Sequence, residues 1–144
     1  MDPVYAQEEI EIRTKGRGLV SIQKEVAATV RNAGVAVGQA HLFLLHTSAG
    51  LLITENADPD VHRDLESWLR TQAPDGTDRY LHGAEGPDDM PAHIRTLLTA
   101  TSLILPVRDA KLVLGTWQGV YLYEHRTAPH DRRLVVTVSG ARTR

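Results

Sequence analysis

The sequence predicts an α+β domain in which about three helices are set among β-strands. Three observations carry this expectation. Apolar residues recur at helical spacing in three separated stretches. The runs between them are rich in β-branched and aliphatic residues. The two kinds of segment do not follow the strand–helix–strand rhythm that builds a parallel sheet. No linker, low-complexity stretch or internal repeat divides the chain, so residues 1–144 are expected to form one domain.

In chain order, residues 9–14 alternate polar and apolar side chains (Glu9, Ile10, Glu11, Ile12, Arg13, Thr14), the period of a half-exposed strand. Gly16 and Gly18 mark a tight turn. Ser21 can cap a helix whose face carries Ile22, Val26, Ala27 and Val30, and Gly34 fits its end. Residues 35–46 form a long β-rich run, apolar on both faces toward its end, which predicts a central strand. Residues 51–54 follow as another strand. Asp58 is a good N-cap, and Pro59 sits at the first helical position, where its missing N–H costs nothing. Val61, Leu65, Trp68 and Leu69 then form an apolar stripe, with His62, Arg63, Glu66 and Arg70 toward water and Asp64 at the edge.

Residues 71–89 are mostly turn formers, and irregular chain of that length is usually functional or mobile. A third helix begins near Asp89 or Met90 with Pro91 in its first turn, and Met90, Ile94, Leu97 and Leu98 are its expected buried stripe. Residues 102–107, 111–125 and 134–139 complete the strands.

Composition narrows the function classes. Sixteen Lys and Arg stand against 18 Asp and Glu, a net charge of −2, and a nucleic-acid surface needs a basic excess. The absence of cysteine excludes disulfides, thiolate nucleophiles and Cys-type zinc sites. No apolar run approaches the roughly 18–20 residues of a membrane helix. The first nine residues lack the basic start and apolar stretch of a signal peptide, so a cytoplasmic location is expected.

Three histidines lie where polar groups are costly. His46 ends the apolar strand, and His82 and His93 flank an acidic, Gly-rich loop. A buried imidazole without a partner costs about 1–3 kcal/mol, so convergence on one metal ion or one anionic ligand would explain all three together. Three imidazoles with an open position are one form of catalytic zinc site. His41, His62, His125 and His130 read as solvated. Glu85, between His82 and His93, is placed to act as a general base. Glu124 ends the inward alternation Val120, Leu122, Glu124 and calls for a cation, either a metal or an arginine such as Arg132 or Arg133. Thr47 and Ser48 read as donors to an anion or as partners of His46; a nucleophilic serine lacks its Gly-x-Ser-x-Gly elbow here. Gly115 weakens its strand unless a backbone or ligand comes close. Beside it, Trp117 and Gln118 point to opposite faces, so that one can pack while the other binds.

Taken together, several segments resemble the YjbQ family, also called secondary thiamine-phosphate synthases, over roughly residues 21–140. They are His46-Thr47-Ser48-Ala49, Glu55-Asn56-Ala57-Asp58-Pro59-Asp60-Val61 with Asp64, His82, Glu85-Gly86, Met90-Pro91-Ala92-His93, Ser102 leading to Pro106, Gly115-Thr116-Trp117-Gln118, and Glu124. The resemblance implies a compact fold with a mixed or antiparallel, β-sandwich-like sheet and about three helices. It also implies a homotrimer and a histidine-lined site at or near subunit contacts. The implied activity is that of a transferase joining a pyrimidine diphosphate to a thiazole phosphate with loss of pyrophosphate. On that reading His46, His82 and His93 hold a divalent metal, zinc or magnesium. Glu85 or Glu124 then supplies acid–base chemistry or a fourth ligand, and Thr47, Ser48, Gln118 and Arg132 hold the anion. Without a rich phosphate cradle the synthase activity is expected to be slow. A trimeric small-ligand or metal-binding protein without turnover is the alternative, and a metal-dependent hydrolase a third. The expected partner is a small phosphorylated molecule, with neither nucleic acid nor membrane. Asp89 stands where the family often has Asn, which touches the charge of the site loop; Ala110 replaces a usual Gly in a turn.

Overall fold

The structure, a computed structural model, describes residues 1–143. In chain order it contains β1 (Asp2–Arg13), β2 (Gly18–Ser21), α1 (Gln23–Ala33), β3 (Val37–Leu44), β4 (Ala49–Glu55), α2 (Pro59–Gln72), α3 (Asp89–Leu98), β5 (Ser102–Arg108), β6 (Lys111–Leu112), β7 (Gln118–Glu124) and β8 (Asp131–Arg142). This is the expected α+β architecture, and every strand pair is antiparallel. One sheet has the order β1-β8-β3-β5-β6 and the other β2-β7-β4.

Period-two alternation builds the core. Ala40, Leu42 and Leu44 of β3 lie opposite Val138, Val136 and Leu134 of β8. These six meet Leu51 of β4, Val120 and Leu122 of β7, and Val26 and Val30 of α1 in one apolar cluster. β7, central in the smaller sheet, is buried on both faces after its first residue. β3 and β8 approach closely at the pair Gly38 and Gly140, where a Cβ on Gly38 would stand 2.1 Å from the Ser139 carbonyl oxygen. Gly38→Ala is therefore expected to cost about 1–3 kcal/mol. The cost should appear as a lower urea midpoint at unchanged slope; an unchanged midpoint would show that the two strands can part locally.

The second helix follows the sequence signal. The Asp58 side chain accepts from the Asp60 amide at 2.9 Å and Pro59 opens the helix. Gly34, at φ 67°, closes α1, although Ser21 stays in β2 and no side chain caps that helix. Residues 111–125 are not one strand. The chain leaves the sheet after Leu112 and turns at Gly115, whose N–H donates to Gln118 Oε1 at 2.7 Å, before β7 begins.

The stripe expected on α3 is rotated. Leu97 is 83% exposed, and the buried face instead carries Asp89, Ala92 and Arg95. Those charges are tolerated inside because each has a partner: Arg95 donates to Glu66 at 2.7 and 3.1 Å, and Asp89 accepts from Arg126 at 2.8 Å. Trp68, expected in the α2 stripe, is 52% exposed, and Leu69 alone of that helix is buried. Among the described residues, no helix is long and apolar enough to cross a membrane.

Candidate metal centre

Asp89 opens α3, and His93 stands one turn later on the same face. The irregular segment before the helix brings His82 back over that first turn. His82 Nε2 lies 2.6 Å, and His93 Nε2 3.2 Å, from the same oxygen, Asp89 Oδ2. The three donor groups fall within 4.8 Å of one another. The Asp89 side chain is 3% exposed, against 43% for His82 and 34% for His93. The carboxylate is thus the floor and the two imidazoles are the open mouth.

The floor is braced from behind. Arg126 Nη1 donates to Asp89 Oδ1 at 2.8 Å, its Nε to Asp88 Oδ2 at 3.0 Å, and its Nη2 to the Glu85 carbonyl at 3.1 Å. Asp88 also accepts from the Thr127 amide and hydroxyl. Burial pushes the Asp89 pKa up, but the hydrogen bond to His82 and the charges of His93 and Arg126 outweigh it, and the net shift is downward. Asp88 is held at about 2, its burial overcome by hydrogen bonds from Thr127 and Arg126.

The tautomer of His93 decides what the mouth can hold. Its Nδ1 lies 3.0 Å from the Thr47 carbonyl oxygen, which can only accept, so Nδ1 carries the proton. That leaves Nε2 as the ring nitrogen facing the Asp89 carboxylate, where it can donate to Oδ2 as an imidazolium or offer a lone pair to a cation as the neutral ring. A backbone-carbonyl brace on the remote nitrogen is also how metal-bound histidines are oriented. Two ligands of one tetrahedral ion with bonds of about 2.0–2.2 Å lie roughly 3.3 Å apart. The His93–Asp89 separation of 3.2 Å matches that, while the 2.6 Å between His82 and Asp89 is a direct hydrogen bond that would lengthen to admit an ion. Two imidazoles and a carboxylate suit zinc or another transition ion better than magnesium, which favours oxygen ligands.

Of the three histidines expected to converge, the structure brings together His82 and His93. His46 lies outside the set: its Nε2 accepts the Arg133 N–H at 2.8 Å, and its Nδ1 is 3.4 Å from Arg132 Nη1. Burial, then the charges of Arg132 and Arg133, hold its pKa below the usual imidazole value. Asp89 takes the third place. Its signal in the sequence was the Asp-x-x-x-His spacing at a helix start, which puts both side chains on one face.

Glu124 is fully buried. Oε1 accepts from Thr14 Oγ1 at 2.7 Å and Arg132 Nε at 2.9 Å, while Oε2 accepts from the Arg126 amide and Arg132 Nη2. Burial raises its pKa and these bonds more than reverse that, leaving it lowered. With both oxygens doubly occupied, Glu124 is the ion-pair partner of Arg132. Arg132, expected to hold an anion, is spent on Glu124 and on the Ser48 carbonyl and hydroxyl. Thr47 serves through its carbonyl, which accepts from His93 and from Thr96 Oγ1 at 2.9 Å. Through these contacts Thr47 braces His93 and Ser48 braces Arg132.

Gln118 is at the far end of the seven-residue β7 from Glu124, about 20 Å away at roughly 3.3 Å per residue. Its Oε1 accepts from the Gly115 N–H in the turn that displays Trp117. Glu85 alone of the expected acid–base pair borders the mouth, with an exposed side chain. His125, read as solvated, is fully buried with its pKa pushed down to about 3 by burial and by Arg95. The β4–β7 pairing continues past Glu124: the His125 N–H donates to the Ser48 carbonyl, and His125 Nε2 lies 3.2 Å from Thr99 Oγ1.

Comparison with known proteins matches residues 8–141 to the model of the UPF0047 protein YjbQ-like family. The chain belongs to that family. A UPF0047 protein of Synechocystis sp. is 48% identical over 93% of this chain and 91% of its own. The UPF0047 protein YjbQ of Salmonella typhimurium is 41% identical over 95% of this chain and 99% of its own. The crystal structure of a YjbQ/UPF0047 family protein from Clostridium acetobutylicum superposes with a TM-score of 0.83 at 38% identity, covering 91% of this chain and 98% of that one. The YjbQ-like fold, with antiparallel sheets and three helices, is thus shared with these UPF0047 relatives.

Proposed function

We propose that this chain is a divalent-metal-dependent enzyme acting on a small phosphorylated molecule, with slow thiamine-phosphate synthase activity as the reaction to assay. His82, Asp89 and His93 hold the ion, zinc in preference to magnesium. The observation that carries this reading is the three-donor cluster of His82, Asp89 and His93 at an open mouth, with His93 Nδ1 braced on the Thr47 carbonyl so that Nε2 faces the cluster. When bound, the ion supplies a Lewis acid for a phosphoryl oxygen. Arg126 fixes the Asp89 carboxylate, Thr47 fixes the His93 ring, and Glu85 at the rim can exchange a proton with a bound ligand.

Protein purified without a histidine tag is expected to carry about one zinc per chain, and His82→Ala to carry almost none; equal metal in both would sink the reading. Incubation with both thiamine precursors should give product that disappears in the His82→Ala/His93→Ala double variant. Product that survives there belongs to another site.

Binding without turnover is the second reading. It is favoured by the guanidinium groups of Arg126 and Arg132, which are engaged on carboxylates and leave the mouth without a phosphate clamp. Metal present with no product would support it. The proposal includes the homotrimer. Its support is the outer face of the five-stranded sheet, where Tyr5, Val37, Phe43 and Ile104 are exposed on alternate positions. Phe43→Glu should convert a trimer to monomers in light scattering; a wild-type monomer would remove the trimer from the proposal.

A further inference from the structure

Away from the metal centre, one face of α2 does not close onto the sheet. Between that face and β2 and β7 lies a cavity of about 440 Å³, lined by His62, Arg63, Ser67 and Arg70, with Glu66 and Tyr123 also in its wall. A second cavity of about 390 Å³ shares Gly18 and Leu19 with it and is lined by Arg13, Lys15 and Arg17. Each volume is within the roughly 300–1,000 Å³ of small-molecule sites. None of the metal-centre residues lines either one.

The charge of these walls is out of keeping with the chain. On a protein of net charge −2, five cations line the two adjoining cavities against one lining carboxylate, Glu66, although Arg13, Arg17, Arg63 and Arg70 each also meet a carboxylate, those of Asp131, Asp75, Asp60 and Glu66. Glu66 is already neutralised from beneath: Arg95 donates to it at 2.7 and 3.1 Å and the Tyr123 hydroxyl at 2.9 Å. Arg17 is tied to Asp75 by two bonds and to the His125 carbonyl, so it contributes a fixed field. Arg13, Arg63 and Arg70 are in ion pairs whose arginine side chains are mostly exposed. Such pairs contribute little to stability, so a multiply charged ligand can compete for them. Lys15 is exposed and has no ion pair among the described residues.

The backbone adds donors. β2 is an edge strand. Ile22 N–H bonds the Val120 carbonyl, and the register continues through Val20 opposite Leu122 and Gly18 opposite Glu124. In an antiparallel ladder the alternate residues point the other way, so the N–H groups of Leu19 and Ser21 face out of the sheet on the side of the second cavity.

From this juxtaposition we propose that the groove between α2 and the β2 edge is a binding site for a small oligophosphate-bearing ligand, separate from the metal centre. Two adjoining cavities with cations in both match negative charge distributed along a ligand better than a single phosphate. The site stands whether or not the metal centre binds its ion.

Inorganic tripolyphosphate titrated into the intact chain at low salt, followed by calorimetry and amide NMR, tests it. One equivalent should bind, with the Leu19 and Ser21 amides shifting. Arg63→Ala/Arg70→Ala should weaken binding about tenfold or more, as loss of charge-assisted hydrogen bonds does, and Lys15→Glu, on an exposed side chain that leaves the core untouched, should weaken it in the same direction. His82→Ala should leave it unchanged. Absent or unsaturable binding, unchanged affinity in both groove variants, or loss in His82→Ala would each overturn the assignment. Orthophosphate bound equally well would overturn the oligophosphate preference.

Discussion

Replacing His93 with alanine is expected to lower zinc affinity by more than about 100-fold while leaving the fold intact. Removing a group that merely orients a metal ligand costs about 10- to 100-fold, and His93 is a donor itself. Its ring is partly exposed at the mouth, so truncation leaves no cavity in the apolar core. The contrast with His46→Ala makes the measurement sharp. His46 spends Nε2 on the Arg133 amide, so its loss should change zinc affinity by only a few fold. Calorimetric titration of apo-protein reads both variants. Strong loss in His46→Ala with little loss in His93→Ala would transfer the centre to the other histidine and remove Asp89 from it.

The largest stability effect is expected at Glu124. Glu124→Ala leaves the Arg132 guanidinium, 4% exposed, buried without its counter-charge, and breaking a buried pair in this way costs about 3–5 kcal/mol. Urea unfolding at neutral pH measures it, and a loss under about 1 kcal/mol would mean that water reaches the arginine. The acid limb follows from the sign of the shift. Glu124, Glu66 and Asp75 all have folded pKa values lowered from 4.5, 4.5 and 3.8. The unfolded chain therefore binds protons first as pH falls, and the stability these groups contribute is complete above about pH 5 and drains away below it. Glu124→Ala should show a shallower acid limb than the wild type.

The contrast between α2 and α3 shows what the sequence could convey. Asp58 and Pro59 act on their own neighbours, so the start of α2 was readable from two adjacent residues. The buried face of α3 was not. Asp89 and Arg95 are inside because Arg126 and Glu66, 37 and 29 residues away, neutralise them, and a pattern that sorts residues by polarity turns such a helix the wrong way round. His82 and His93 were legible as a pair flanking an acidic loop. His46 was misplaced because a strand end beside polar residues looks alike whether its ring meets a metal or a backbone amide. Glu124 was legible as a group needing a cation, and the fold chose Arg132. The place of Gln118 depends on β7 starting at that residue, where the sequence suggests a strand running through it.

The segment joining α2 to α3 is fastened mainly at its ends, by Asp75 on Arg17, Tyr80 on the Pro74 carbonyl and the Gly76 amide on the Pro87 carbonyl, and by the Glu85 carbonyl and Asp88 on Arg126 and Asp88 on Thr127; between them His82 meets Asp89. The last of these is also a proposed metal contact. An ion bridging His82 to the first turn of α3 would staple the middle of the connector to that helix, so filling the centre and quieting the loop would be one event.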